Sequence, residues 1–272
     1  MREAVILGLI QGLTEFLPIS SVAHLRIIPA LLGWEDPGAA QSAVLQLGTL
    51  VAVLLYFGAD LLRLARSTWR DVRMGRPFAS QEARLVWYIL VGTIPIGVCG
   101  LAFQRFIERD ARSLYVIAAS LISLAILLAL AERSSTRRLE MDQIGFIRAQ
   151  AVGLCQALAL VPGSSRSGTT IMAGLFVGMT RETAARFSFL LGVPALATSG
   201  LYELRELTQA GLDSTALVHL MVATAISALS GYLAIGFLIW YLKTRSTYLF
   251  IWYRIGLGLL LLGLLFMGRV TA

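Results

Sequence analysis

The feature that most limits the fold is the sorting of apolar sequence into two lengths. Six runs, at roughly 41–62, 85–104, 113–131, 187–207, 214–242 and 246–268, are long enough to cross a lipid hydrocarbon core as helices. Shorter runs come in pairs. Ala4 to Thr14 and Phe16 to Leu25 flank Pro18, which lacks an N–H and disfavours the helical region for Leu17. Neither can span alone, so together they read as a re-entrant helical hairpin. Ala149 to Ser165 and Ser167 to Thr180, broken around Pro162-Gly163, read as a second one. With 57% hydrophobic and 14% charged residues and a mean hydropathy of +0.75, length here counts membrane spans rather than soluble domains.

The two hairpins are copies. Pro18 and Ser20-Ser21 match Pro162 and Ser164-Ser165 at an offset of 144, and Gly48 with Gly192 and Gly92 with Gly236 keep the same offset. A constant offset at several landmarks marks an internal repeat. The expected architecture is therefore an all-α polytopic membrane protein of two repeats, about 1–131 and 145–272, each a hairpin plus three transmembrane helices. An odd number of crossings per repeat predicts that the second copy enters the bilayer inverted.

Charge sets the expected orientation. Of 23 basic residues Lys243 is the single lysine, and the net charge is +7. Arg63, Arg66, Arg70, Arg73, Arg76 and Arg84 fall in one connection, and Arg133, Arg137, Arg138 and Arg148 in another two crossings later, with Lys243 and Arg245 on the same side. The positive-inside rule makes that side cytoplasmic, so the termini and the mouth of the first hairpin face outward. Arg105, Arg109 and Arg112 on the opposite side weaken the contrast without reversing it. No soluble basic module with interleaved aromatics exists, so nucleic acid is not an expected partner. Cys99 and Cys155 stand alone in apolar runs as packing residues. Trp87, Tyr88, Trp240, Tyr241, Tyr248, Trp252 and Tyr253 cluster near span ends as an interfacial belt, and His219 reads as interfacial too.

Polar chemistry concentrates at the hairpin breaks. Gln11, Glu15, Ser20, Ser21 and His24 lie inside apolar sequence, where an ionisable side chain costs at least about 2.5–3.5 kcal/mol and faces a wet cavity or a partner. Gln11 and Glu15 are four apart and share a helix face, two oxygen donors suited to a hard cation such as Mg²⁺ or Ca²⁺. Glu15 could equally act as a base or pair with Arg166. Ser21, three positions before His24, is the candidate nucleophile, with His24 as its acid or base; helix capping is the alternative role for Ser20 or Ser21. In the second hairpin Arg166 stands among Ser164, Ser165, Ser167, Thr169 and Thr170, with Gly163 and Gly168 permitting tight turns. A guanidinium fork with hydroxyl and helix N-terminal N–H donors makes an anion cradle. Glu and His come from one repeat and Arg with hydroxyls from the other, so the site needs both.

At these residues the chain resembles the undecaprenyl pyrophosphate phosphatase family, bacterial polyprenyl lipid phosphatases associated with bacitracin resistance. The resemblance runs end to end, through Gln11 to Glu15, Phe16 to His24, Leu45 to Gly48, Pro162 to Gly168 and Phe187 to Pro194. It implies an enzyme of the bacterial plasma membrane that removes the terminal phosphate of undecaprenyl diphosphate on the outer face and returns the carrier lipid to peptidoglycan synthesis. It implies catalytic roles for Glu15, Ser21, His24 and Arg166, with divalent-metal dependence through Glu15 and Gln11. Gln11, Ser20, Ser165, Ser167 and Thr170 are the expected substrate-binding residues. Gln11 stands where many members have a first glutamate, and Val22 where a threonine is common. A homodimer stays open. Two rivals are weighed: a polyprenyl-phosphate transporter or flippase, since inverted repeats with broken helices are a transporter signature, and the type 2 phosphatidic acid phosphatase fold, whose second histidine has no counterpart after Arg166.

Overall fold

The computed structural model describes residues 1–36, 38–108, 110–210 and 214–270. Arg109, placed above in an outward connection, and residues 271–272 of the second repeat lie outside the described residues. The chain is helical. The first hairpin is α1 (Arg2–Phe16) and α2 (Ser21–Leu32), followed by α3 (Gly38–Tyr56), α4 (Gly58–Arg73), α5 (Gln81–Ala102), the short α6 (Gln104–Glu108) and α7 (Leu114–Ser134). The second is α8 (Phe146–Gln156), continued by a 3₁₀ turn over Ala157–Leu160, and α9 (Arg166–Phe176). Three long helices follow, α10 (Arg181–Ala210), α11 (Ser214–Thr244) and α12 (Tyr248–Phe266).

Among the described residues five helices are long and apolar enough to cross a membrane, or six when a bent pair counts as one span. That pair corrects the expected run 41–62. The helix breaks after Tyr56, and the axis turns by 75° into 58–73. The reason is chemical: Asp60, Arg63, Arg66, Arg70 and Arg73 follow within four turns, and an amphipathic segment so charged lies along the bilayer surface rather than through it. The other long runs form helices within a few residues of their expected limits.

Several helix contacts come in matching pairs. Shifting by 144 takes α1 onto α8 and its 3₁₀ turn, α2 onto α9 and α3 onto the first two thirds of α10, and lays α5 over most of α11. Helix α1 packs on α11 as α8 packs on α5, and α3 on α11 as α10 on α5; α3 also packs on α10, and α7 on α12. Lipid tails are as apolar as leucine, so such contacts hold by close packing and hydrogen bonds rather than by the hydrophobic effect. Where α5 crosses α8, a Cβ on Gly153 would lie 2.5 Å from the Cα of Gly92, an approach no larger residue permits. Near the start of α1's loop, Phe16 sits edge-on to Phe189 of α10 with centroids 5.2 Å apart, fixing the end of α1 against the core.

One end of the bundle is clasped by a buried carboxylate. Glu132, near the end of α7, accepts from Arg181 Nε at 2.8 Å, Arg137 Nη1 at 3.2 Å and Thr247 Oγ1 at 2.8 Å, gathering α7, α10 and the start of α12. The expected arginine-rich connections lie around this end.

A candidate active site where the hairpins meet

The register of the two breaks differs by one residue from the sequence alignment. Ser20 is the N-cap of α2, its Oγ accepting from the Ala23 N–H at 3.3 Å; its counterpart is Ser165, not Ser164, which caps α9 by accepting from the Gly168 N–H at 3.0 Å. One extra residue, the turn-forming Gly163, separates proline from cap in the second hairpin. Gly163 has φ +95°, and a Cβ there would lie 2.6 Å from the Ile117 carbonyl oxygen, so both backbone and space demand glycine. The caps Ser20 and Ser165 have φ 76° and 71°, a region that costs a non-glycine residue about 1–3 kcal/mol. Strain stored twice, at matching positions, marks where the fold is held in an unfavourable shape.

This register makes Ser21 and Arg166 equivalent, each the first residue of its half-helix, and both reach Glu15. Ser21 Oγ donates to Glu15 Oε2 at 2.6 Å, and Gln11 Nε2 donates to the same oxygen at 2.9 Å. Arg166 Nη2 donates to Oε1 at 3.3 Å. Gln11, Glu15 and Ser21 are buried and Arg166 nearly so. Two helix N-termini with their free N–H groups thus converge on one carboxylate. Gln11 Oε1 and Arg166 Nε have no hydrogen-bond partner among the described residues. That is capacity for a further ligand beside Glu15.

The remaining expected residues divide. Ser167 Oγ donates to the Leu17 carbonyl at 3.0 Å, stapling the second hairpin to the break of the first. Thr170 bonds Ser188 Oγ at 2.5 Å and the Arg166 carbonyl at 2.7 Å, holding α9 to α10. Ser165 is a cap. His24 is not paired with Ser21. Its Nδ1 bonds the Ser20 carbonyl at 2.7 Å and its Nε2 bonds the Tyr253 hydroxyl at 2.7 Å, so the group in contact with Ser21 is Glu15. His219, expected to be interfacial, bonds the Met1 ammonium at 3.0 Å beside a cavity of about 200 Å³ between α1, α3, α10 and α11. No lining residue of that cavity belongs to the Glu15 cluster.

Sequence reasoning missed three residues. Arg254 on α12 is 1% exposed and spends all five N–H donors on backbone carbonyls. Nε reaches Leu121, Nη1 reaches Pro18 and Ser164, and Nη2 reaches Ser120 and Gly163, at 3.0–3.4 Å. It ties both hairpin breaks to α7 with a cation that has no carboxylate partner among the described residues. The signal was present, since Arg254 is the single charge inside the run 246–268. Gly192 was read only as a repeat landmark. A Cβ there would lie 1.6 Å from Arg166 Nη1, so this glycine is the space the guanidinium occupies. Tyr253, assigned to the interfacial belt, instead covers His24.

Two guanidiniums against one carboxylate leave the cluster net positive, which suits a multiply charged anion. No group of three or more His, Cys, Asp or Glu side chains gathers among the described residues, so a metal held by protein ligands alone is not built. One carboxylate and a free amide oxygen nevertheless fit a hard cation that takes its other ligands from phosphate oxygens.

Comparison with known proteins gives the chain its relatives. Residues 4–260 match the family described as Bacitracin resistance protein BacA. The chain is 54% identical to an undecaprenyl-diphosphatase of Chloroherpeton thalassium, over 99% of this chain and 98% of that one. It is 53% identical to one of Chlorobium phaeobacteroides, over 99% of each, and 49% identical to one of Myxococcus xanthus, over 100% of this chain and 91% of that one.

Proposed function

The chain belongs to the Bacitracin resistance protein BacA family, and on that footing we propose that it is an integral membrane phosphatase hydrolysing undecaprenyl diphosphate to undecaprenyl phosphate and inorganic phosphate. The observation that carries the reading at this site is the convergence of Ser21 and Arg166, first residues of two half-helices, on the buried carboxylate of Glu15.

Each group has a role set by its contacts. The terminal phosphate takes hydrogen bonds from the guanidinium of Arg166 and from free N–H groups at the starts of α2 and α9, which favour charge developing on the transferring group. Ser21 Oγ attacks phosphorus as its proton passes to Glu15 Oε2, and the bridging P–O bond breaks with its electron pair leaving on the lipid phosphate. Water then attacks the phosphoserine, its proton passing to His24 as Glu15 returns its proton to the departing Ser21 Oγ. Arg254 adds positive charge and rigidity from behind the breaks. Glu15 and Gln11 are the residues that would hold Mg²⁺ or Ca²⁺, which would neutralise diphosphate charge as a Lewis acid. The arginine-rich connections support a site opening to the outer face. The members of the cluster all come from one chain.

Purified protein should release inorganic phosphate from undecaprenyl diphosphate, lose that activity to a chelator, and regain it with Mg²⁺ or Ca²⁺. Transbilayer movement of polyprenyl phosphate without any phosphate release would favour the transporter instead. Activity untouched by chelation would remove the metal from the reading and leave the serine chemistry.

A further inference from the structure

The chemistry above gives Tyr253 no part, yet its placement is specific. Its ring lies 5.6 Å from that of His24 at an interplanar angle of 7°, with Oη 2.7 Å from Nε2. At the other end of the imidazole, Nδ1 is 2.7 Å from the Ser20 carbonyl oxygen. A carbonyl only accepts, so Nδ1 carries a proton and donates. Among the described residues no carboxylate is hydrogen-bonded to either ring nitrogen, so nothing beside the ring balances an imidazolium. In the neutral ring Nε2 is then the bare nitrogen, and the phenol donates to it. An interfacial tyrosine, by contrast, turns its hydroxyl to water or head groups. Tyr253 is 44% exposed and His24 6%, so the phenol covers the buried imidazole and stands between it and the surface of the bundle.

We propose that Tyr253 is a positioning residue for His24 in the phosphatase reaction. With Ser20 it clamps the ring at both ends, fixes the proton on Nδ1, and keeps the lone pair on Nε2. Ser20 is itself the strained cap of α2, so the same backbone that aims the α2 N-terminus also sets the tautomer of His24. Flipping the ring would put a carbon against the carbonyl and lose both bonds. The proposal adds to Arg254 a second residue from α12, and it rests on the phosphatase reading for its kinetic consequence but not for its tautomer.

The test uses full-length protein in detergent. Tyr253→Phe keeps the ring and removes Oη; kcat should fall about tenfold, the scale of one net hydrogen bond, with KM near wild type. In a His24→Ala background the same substitution should change nothing further, because a residue that acts through His24 has nothing left to act on. The chain has two histidines, so His219→Asn leaves His24 alone for ¹⁵N imidazole NMR. Its spectrum should show the Nδ1-protonated tautomer, and Tyr253→Phe should move the Nε2 resonance. Wild-type kcat in Tyr253→Phe, an equal loss in both backgrounds, or an Nε2-protonated neutral ring would each overturn the proposal. Should His24→Ala be inactive, the NMR arm decides. Failure of the wild-type protein to release phosphate would sink the phosphatase reading while the tautomer result still stood or fell by itself.

Discussion

Gly192→Ala is the substitution that best separates the site from the scaffold. The new methyl would lie 1.6 Å from Arg166 Nη1, 2.4 Å from Cζ and 3.0 Å from Nη2. Ordinary contact begins near 3.4 Å, so Nη1 has to move by about 1.8 Å, the difference between 3.4 and 1.6. Both bonds that aim the guanidinium, to Glu15 Oε1 and the Ser188 carbonyl, are already 3.3 Å long and do not survive such a shift. The clash is with the far end of a flexible side chain rather than with backbone, so the fold can absorb it. Alanine also has the better helix propensity by about 1 kcal/mol. A misplacement of about 1 Å at a reacting centre costs on the order of 100-fold in rate. Purified Gly192→Ala should therefore keep or raise its thermal midpoint in detergent while kcat for phosphate release falls about 100-fold. Gly256→Ala, whose methyl meets nothing within 4 Å, should likewise keep or raise the midpoint but leave kcat unchanged. In an Arg166→Ala background Gly192→Ala should cost nothing more. Wild-type turnover in folded Gly192→Ala would refute the placement of Arg166.

Other expectations follow from the same contacts. Arg254→Gln orphans several buried carbonyls at both breaks at about 1–3 kcal/mol each, so thermal unfolding in detergent should show a loss of at least about 3 kcal/mol, and Arg254→Lys should recover part of it. Unchanged stability in Arg254→Gln would remove the tie between the hairpins. Glu132→Gln leaves Arg181 and Arg137 without their anion and should destabilise the protein by about 3–5 kcal/mol without altering the KM of the surviving fold. Cysteines placed at Arg70 and Arg137 should resist impermeant reagent in intact cells. Efficient labelling at both would turn the first hairpin's mouth to the cytoplasm.

Much of the fold could be read from hydropathy, because a bilayer leaves helices few alternatives and Pro18 and Pro162 punctuate the two runs too short to span. The kink after Tyr56 was missed because composition alone does not say where a charged helix leaves the membrane. At the site, helical spacing places Gln11 against Glu15, and the hairpin repeat brings Arg166 to it. Both are local patterns or follow from repetition. Pairing across the chain was not visible. Ser21 meets Glu15 instead of His24 because the strained Ser20 aims the first residue of α2 back at α1, and no spacing rule encodes a positive φ at serine. Tyr253 looked like a membrane-interface residue and Arg254 went unread because their partners lie far along the chain, a histidine 229 positions away for Tyr253 and backbone carbonyls 90 to 236 positions away for Arg254.

The claim that both hairpins build one site is tested most directly by phosphate release from undecaprenyl diphosphate in purified, folded Glu15→Gln, Arg166→Lys and Arg166→Ala. Lysine keeps the charge of Arg166 but loses its planar fork, so it should not rescue. The account predicts losses of at least about 100-fold in all three, the scale of removing one preorganised donor. Near wild-type turnover in Arg166→Ala would contradict it, because the second hairpin would then contribute nothing to the chemistry at Glu15.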